Sequence, residues 1–334
     1  MNKEAIFICQ TPLHVLCASI IANKKKEMYT SKKIIITDHK IHNGVKEAIE
    51  YFKWDSVEYC IISKNKTSKL IHVFSRAIAS KFKKKKKNLD VYCGNFWSVY
   101  TKCMMLNYKT ENLFTFDDGI YNLFLESSLD EHITKENSVI KIVDKLMNLE
   151  ISSSKLFSKI QKHYSIFNKD YSKVYKETDI VETDFRELGL NCNAEFRDEI
   201  WLLTQPFNEE NLMTYKQELD IYKYIIDANK YLGKEIKVKL HPRSNPEIVK
   251  DLKLDIVDSA EPLELLLLKK RPKVLIGVNS TALITSKLLD EEILSKSYFV
   301  GRNDNHKVQY FESYDVECFN IDLNLEEGSS IFNK

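Results

Sequence analysis

The sequence predicts an α/β protein made of two parallel-sheet domains, and three observations carry that expectation. Short apolar runs of strand length alternate with stretches of helical period along most of the chain. The 334 residues exceed what one hydrophobic core usually organises, domains of roughly 150 residues being the ordinary scale. The chemically distinctive residues also fall where the apolar runs stop, and the carboxyl ends of strands are where open α/β sheets bind ligands.

Residues 5–9 form the first predicted strand, followed by Gln10-Thr11-Pro12 and a helix over 13–21. Thr11 suits the N-cap and Pro12 the first helical position. Strand, tight loop and helix in this order open a Rossmann-like domain. Gln10 and Thr11 are therefore candidate substrate contacts, with simple capping as the competing role of Thr11. A strand over 33–37, a helix over 45–52 and a strand over 56–62 continue the alternation and imply right-handed parallel crossovers. Residues 64–87 are lysine-rich and end in Lys83, Lys84, Lys85, Lys86 and Lys87. The run reads as a solvated helix end, or as a peripheral contact with the anionic inner face of a membrane, where each lysine adds about 1 kcal/mol.

A strand over 89–93 leads into Gly94-Asn95, which makes Asn95 a further candidate contact. A helix-like stretch over 98–106 and a strand over 112–116 follow, and the strand ends at Asp117-Asp118-Gly119. Gly119 lets the backbone turn sharply and leaves one of the two carboxylates facing the cleft, the arrangement a general base needs. A calcium ligand pair and a plain Asp-Gly turn compete with that role, and EF-hand spacing is missing.

Residues 138–184 read as helical and polar, a connection over 138–195 between a first domain, 1–137, and a second, 196–322. The second begins with a strand over 199–204 that ends at Gln205-Pro206, with Glu209 and Glu210 just beyond. A helix over 211–232 presents Leu212, Tyr215, Leu219, Tyr222 and Ile226 on one face, and Gly233 ends it. Apolar residues then alternate with lysines over 236–240 until Pro242, which has no N–H to donate, stops the pairing. His241 thus stands at a strand end beside Arg243, a titratable donor next to a fixed cation, suited to a phosphate or, more simply, to a structural loop bond. A strand over 255–257 and a helix capped near Ser259 or Ala260, with Glu264 in its first turn, come next. A buried strand over 274–277 leads to Asn279-Ser280-Thr281 and a helix through 289. Two hydroxyls and a helix N-terminus there make an anion site without a glycine loop, where capping by Ser280 alone would account for only one hydroxyl. Residues 297–301 are the last expected strand, and 323–334 a loose tail.

Composition narrows the function. A formal net charge of +2 argues against bulk nucleic-acid binding, and with eight glycines there is neither a P-loop nor a GxGxxG fingerprint. Seven scattered cysteines without CxxC spacing read as free thiols, with no zinc site or disulfide framework. Neither a signal peptide nor an apolar run of about 20 residues is present, so the expected location is cytoplasmic.

Taken in order, Phe116-Asp117-Asp118-Gly119, Leu240-His241-Pro242-Arg243 and Asn279-Ser280-Thr281 resemble the acidic-Gly, His-Pro and Ser/Thr motifs of bacterial sialyltransferases. With Phe7 to Leu13 and the Gln205-Pro206 turn, the chain looks most like glycosyltransferase family 52, over roughly residues 5 to 300. The resemblance implies a GT-B architecture, two Rossmann-like domains facing across a cleft, with CMP-sialic acid held mainly by the second. It implies an inverting transfer, without metal or other cofactor, onto a terminal galactose of a lipooligosaccharide or capsular polysaccharide, with α-2,3 linkage preferred over 2,6. His241, Arg243, Ser280 and Thr281 would neutralise the phosphate, and Glu264 would bind the ribose. In parts of the family the base follows the Ser/Gln-Pro turn, where this chain has Phe207 and Asn208. The base is thus divided between Asp118, which is preferred, and Glu209 or Glu210. A non-catalytic nucleotide or carbohydrate binder, and another GT-B enzyme such as a non-hydrolysing epimerase, stand as alternatives. Homodimerisation stays open.

Overall fold

In the computed structural model, which describes residues 3–41, 43–119, 129, 133–134, 136–181, 196–257, 261–301 and 305–321, the first apolar run lies inside a sheet. Strand β1 (Glu4–Cys9) is buried from Ala5 onward and pairs in parallel with β2 (Ser31–Asp38) on one side and β4 (Leu89–Cys93) on the other. A parallel strand covered on both faces has no polar face, which is why 5–9 shows no alternation. The covering helices include α1 (Pro12–Lys24), α2 (Asn43–Glu50), α3 (Lys66–Lys81) and α4 (Val99–Met105). With β3 (Ser56–Ile61) and β5 (Asn112–Phe116), these elements match the expected alternation closely.

The stretch expected as a helical connection is corrected in its described part. Helices α5 (Ser138–Met147) and α6 (Ser153–Lys159) are followed by strands β6 (Ile160–Ser165) and β7 (Thr178–Ile180). These complete a seven-stranded, all-parallel sheet in the order β3-β2-β1-β4-β5-β6-β7. The chain accordingly divides into two compact units, Met1–Gly189 and Leu190–Lys334, so the first runs well past residue 137. The strand β6 was hidden because its buried residues include His163 and Ser165, whose polarity imitates a solvated segment. Residues 182–195 lie outside the described residues.

The second unit repeats the plan with six parallel strands in the order β10-β9-β8-β11-β12-β13. These are β8 (Phe196–Leu203), β9 (Glu235–Lys239), β10 (Asp255–Val257), β11 (Arg271–Val278), β12 (Leu294–Val300) and β13 (Val316–Ile321). Helices α7 (Tyr215–Asn229), α8 (Glu247–Leu252), α9 (Leu263–Lys269), α10 (Thr281–Leu289) and α11 (Asn305–Glu312) connect them. The core gathers Ile200, Leu202, Ile221, Tyr222, Val238 and Ile276 from four of these elements.

Three boundaries differ from expectation here. Helix α7 starts at Tyr215 instead of 211, because Thr214 and Gln217 form a reciprocal capping box while Asn211 holds φ at 57°. The next helix, α9, is capped at Pro262; Ser259 and Ala260 lie outside the described residues. The last strand of the unit is β13, reached through α11, and the expected tail at 323–334 lies outside the described residues.

In each unit the strand order reverses once, between β1 and β4 and between β8 and β11, and such a switch point opens a crevice at the carboxyl edge. The lysine run lies elsewhere. It follows the end of α3, with Lys83 on the Asn107 carbonyl, Lys85 on Glu111 and Lys86 on Glu4, at the amino ends of β1 and β5. Among the described residues no helix is long and apolar enough to cross a membrane.

Candidate active site

The first unit brings Gln10, Gly94, Asn95 and Asp118 to one edge of its sheet, with an added partner that the sequence reading missed. Helix α1 begins as expected, Thr11 accepting the His14 N–H at 3.2 Å. That cap fixes the first turn and turns the His14 ring back toward the strand ends. The Gln10 backbone N–H donates to His14 Nδ1 at 3.1 Å, and His14 Nε2 lies 2.5 Å from Asp118 Oδ1. Because Nδ1 accepts, the ring hydrogen resides on Nε2 and is donated to the carboxylate.

The two neighbouring acids have separate duties. Asp117 is fully buried and accepts from the Ile166 N–H at 2.6 Å, the Ser165 hydroxyl at 2.9 Å and His163 Nε2 at 3.1 Å. It ties the end of β5 to the end of β6. Asp118 retains partial exposure, and Gly119 follows at a φ of 72°, the left-handed conformation that the sharp turn requires.

The remaining candidates line the same edge. Gln10 Nε2 donates to the Ser98 hydroxyl at 2.9 Å, and that hydroxyl also caps α4 by accepting the Tyr100 N–H. The Asn95 side-chain carbonyl accepts the Ser98 N–H at 3.0 Å, so it shapes the loop after β4. Gly94 is where the His14 ring packs: a Cβ there would stand 2.7 to 2.9 Å from three ring atoms. A glycine at the end of a strand signals such close approach and was the available clue to His14.

In the second unit the loops after β8, β9 and β11 are joined by hydrogen bonds. Gln205 Nε2 donates to the Ser280 hydroxyl at 2.9 Å, and the Gln205 N–H donates to the Tyr222 hydroxyl at 2.7 Å. The His241 N–H donates to Thr204 Oγ1 at 2.8 Å, and the Arg243 N–H donates to His241 Nδ1 at 3.2 Å. His241 is therefore set as the Nε2–H tautomer in a partly exposed turn, with Pro242 exposed beside it. Ser280 is the N-cap of α10 but makes no side-chain capping bond, its hydroxyl being engaged by Gln205. Asn279, at a φ of 44°, bends the backbone into the helix, and Thr281 is the first helical residue. The helix N-terminus thus stands at the switch point, where free N–H groups favour an anion.

The carboxylates near this turn act on the turn. Glu209 accepts the Asn245 N–H at 2.6 Å, and Glu210 pairs with Arg243 at 2.5 Å. Beneath them, Glu218 of α7 is buried and accepts the Asn208 N–H at 3.0 Å. Burial pushes its carboxyl up to about 7, with the Glu209 charge adding and the Asn208 N–H opposing. Glu264, in the first turn of α9, is half-buried against the Thr285 hydroxyl at 3.4 Å, and desolvation raises its proton affinity above the usual carboxylate range.

Comparison with known proteins bears on the fold and on the family. The full chain is similar in fold to a crystal structure from Listeria monocytogenes assigned as a UDP-N-acetylglucosamine 2-epimerase, with 11% identity, 95% of this chain and 84% of that one covered, and a TM-score of 0.53. It is similar to the same extent to the Methanocaldococcus jannaschii UDP-GlcNAc 2-epimerase, with 14% identity, 96% and 88% coverage, and a TM-score of 0.51. These likenesses establish the fold as GT-B type, with two Rossmann-like domains. In sequence, the chain is 21% identical over 238 residues to an N-acetyllactosaminide alpha-2,3-sialyltransferase of Haemophilus influenzae, covering 64% of this chain and 69% of that protein. The sequence pattern of glycosyltransferase family 52 matches residues 55–300, a span that runs from the start of β3 to the end of β12 and takes in Asp118, His241 and Ser280, and the chain belongs to that family.

Proposed function

We propose that the protein is a sialyltransferase that moves sialic acid from CMP-sialic acid to a terminal galactose of a bacterial surface glycan, a capsular polysaccharide or lipooligosaccharide, with inversion and without a metal ion. Family membership supports the transfer chemistry, and the Haemophilus influenzae relative supports α-2,3 linkage on a lactosamine-type acceptor. The observation that carries the donor reading is the joined triplet of loops in the second unit. The Gln205–Ser280 pair and the N-terminus of α10 stand at the switch point between β8 and β11, and an imidazole with its hydrogen on Nε2 follows the neighbouring strand β9. A single phosphate suits that set, which supplies one proton donor, one hydroxyl and backbone N–H groups.

In this reading the acceptor oxygen attacks the anomeric carbon as the bond to the CMP phosphate oxygen breaks. The acceptor proton passes to Asp118, and His241 donates to the departing phosphate, so no covalent enzyme intermediate is needed. Asp118 is favoured as base by its place at the end of β5, where Gly119 permits the turn, whereas Glu209 and Glu210 lie on the entry loop of the second unit. Glu264 is the residue offered for the ribose hydroxyls, its carboxyl providing two acceptor oxygens.

Calorimetry in EDTA with CMP, UDP and GDP tests the donor. CMP binds and the other two bind more weakly if the reading holds. A preference for UDP, or binding that appears only with Mg²⁺, overturns it in favour of another nucleotide-sugar enzyme of the same architecture.

A further inference from the structure

We propose that His14 is a positioning residue for the base, an imidazole locked in one tautomer that gives its single ring N–H to Asp118. The proposal rests on the reading of Asp118 as base and adds a residue to which that reading assigns no role. In a hydrolase triad the carboxylate orients the imidazole and the ring takes the proton. Here the burial is the reverse, with the His14 side chain 1% exposed and that of Asp118 19% exposed.

Both His14 ring nitrogens are committed, Nδ1 to the Gln10 backbone N–H and Nε2 to Asp118, so the ring has no lone pair with which to take an acceptor proton. The ring is also held in place from three sides. Its backbone is tied by the Thr11 cap, its face lies where a Gly94 side chain would begin, and Phe116 meets it edge-on at 5.8 Å between centroids. A fixed N–H donated to a carboxylate defines where the base stands, and misplacement of a reacting group by about 1 Å costs on the order of 10²-fold in rate.

The test measures transfer from CMP-sialic acid to N-acetyllactosamine. His14→Ala and His14→Asn lower kcat roughly 10- to 10²-fold while the KM for CMP-sialic acid stays within about twofold. His14→Gln restores most of the rate, because its amide nitrogen can occupy the Nε2 position. Gly94→Ala reproduces the loss with every polar group intact, since its methyl displaces the ring. The double variant His14→Ala/Asp118→Asn is no slower than Asp118→Asn, as expected for a residue acting through another.

If Asp118→Asn is inactive while His14→Ala keeps full kcat, the positioning role falls and the base reading stands. If Asp118→Asn is active, the base reading itself falls. Imidazole ¹⁵N NMR of the unaltered protein reads His14 independently of folding defects and of acceptor choice. The neutral Nε2–H tautomer is expected, and an Nδ1–H or doubly protonated ring overturns the proposal.

Discussion

Two histidines, one in each unit, are locked by the same device in different surroundings. In each, a backbone N–H donates to Nδ1, from Gln10 in the first unit and from Arg243 in the second, and leaves the hydrogen on Nε2. His14 is buried and its Nε2–H meets Asp118, whereas His241 lies in a partly exposed turn next to Pro242. The comparison teaches that tautomer control alone does not define a role. The same lock sits in a buried ring in the first unit and in a partly exposed turn in the second. In the first unit the carboxylate is the more accessible member of the pair, His14 being 1% and Asp118 19% exposed.

The sharpest way to break this comparison is to remove the imidazole that is accessible. His241→Ala is expected to lower turnover by roughly 10²- to 10⁴-fold and to weaken CMP binding, because a donor to the leaving phosphate is lost from both ground and transition states. Steady-state kinetics with CMP-sialic acid and calorimetry with CMP measure the two effects. A near-normal rate would make the Nδ1 lock of His241 a turn-building device only.

Asp118→Asn is expected to act differently, lowering kcat by roughly 10²-fold with CMP affinity little changed, since the interaction is gained only in the transition state. Glu209→Gln and Glu210→Gln each do less, because these side chains hold the Asn245 and Arg243 side of the turn. An inactive Glu209→Gln or Glu210→Gln beside an active Asp118→Asn would move the base to the second unit.

Most of the framework was legible because its strands are short apolar runs bounded by Gly, Pro, Asp and His. The expected strands at 89–93, 112–116 and 255–257 coincide with β4, β5 and β10. What stayed hidden depended on contacts distant in sequence. His14 and Asp118 are 104 residues apart and meet only because β1, β4 and β5 are neighbours in the sheet. The engagement of Glu209 by Asn245 spans 36 residues and cannot be read from either segment. Strand β6 was masked by His163 and Ser165, polar residues made tolerable in the interior by Asp117. Helix α7 was read four residues too early because Leu212 continues the apolar stripe, while the left-handed Asn211 and the Thr214 cap exclude that segment from the helix.

The division between the adjacent acids of the first unit gives the next test. Asp117→Asn is expected to destabilise the protein by about 2 kcal/mol, because an amide cannot accept from all three donors that converge there. Urea unfolding measures it, and kcat per folded molecule should fall far less than in Asp118→Asn. A stable but inactive Asp117→Asn would reverse the two roles.

The smallest expected effect lies under the second unit's turn, at Glu218. Burial raises its carboxyl to about 7 in the folded protein, against an ordinary value of 4.5. Below the ordinary value the group is protonated whether folded or unfolded. Between the two values the unfolded chain releases the proton and the folded protein keeps it, which costs the folded state. The contribution favouring the neutral, folded form is therefore present in acid and is lost as pH rises through about 7. Stability should fall by roughly 1 kcal/mol between about pH 6 and pH 8 from this group. Glu218→Gln keeps the acceptor for the Asn208 N–H and removes the titration, so its unfolding free energy should lack that component of the slope. Denaturant midpoints at the two pH values compare the variants. Equal slopes would mean that burial does not raise the Glu218 carboxyl above its ordinary value.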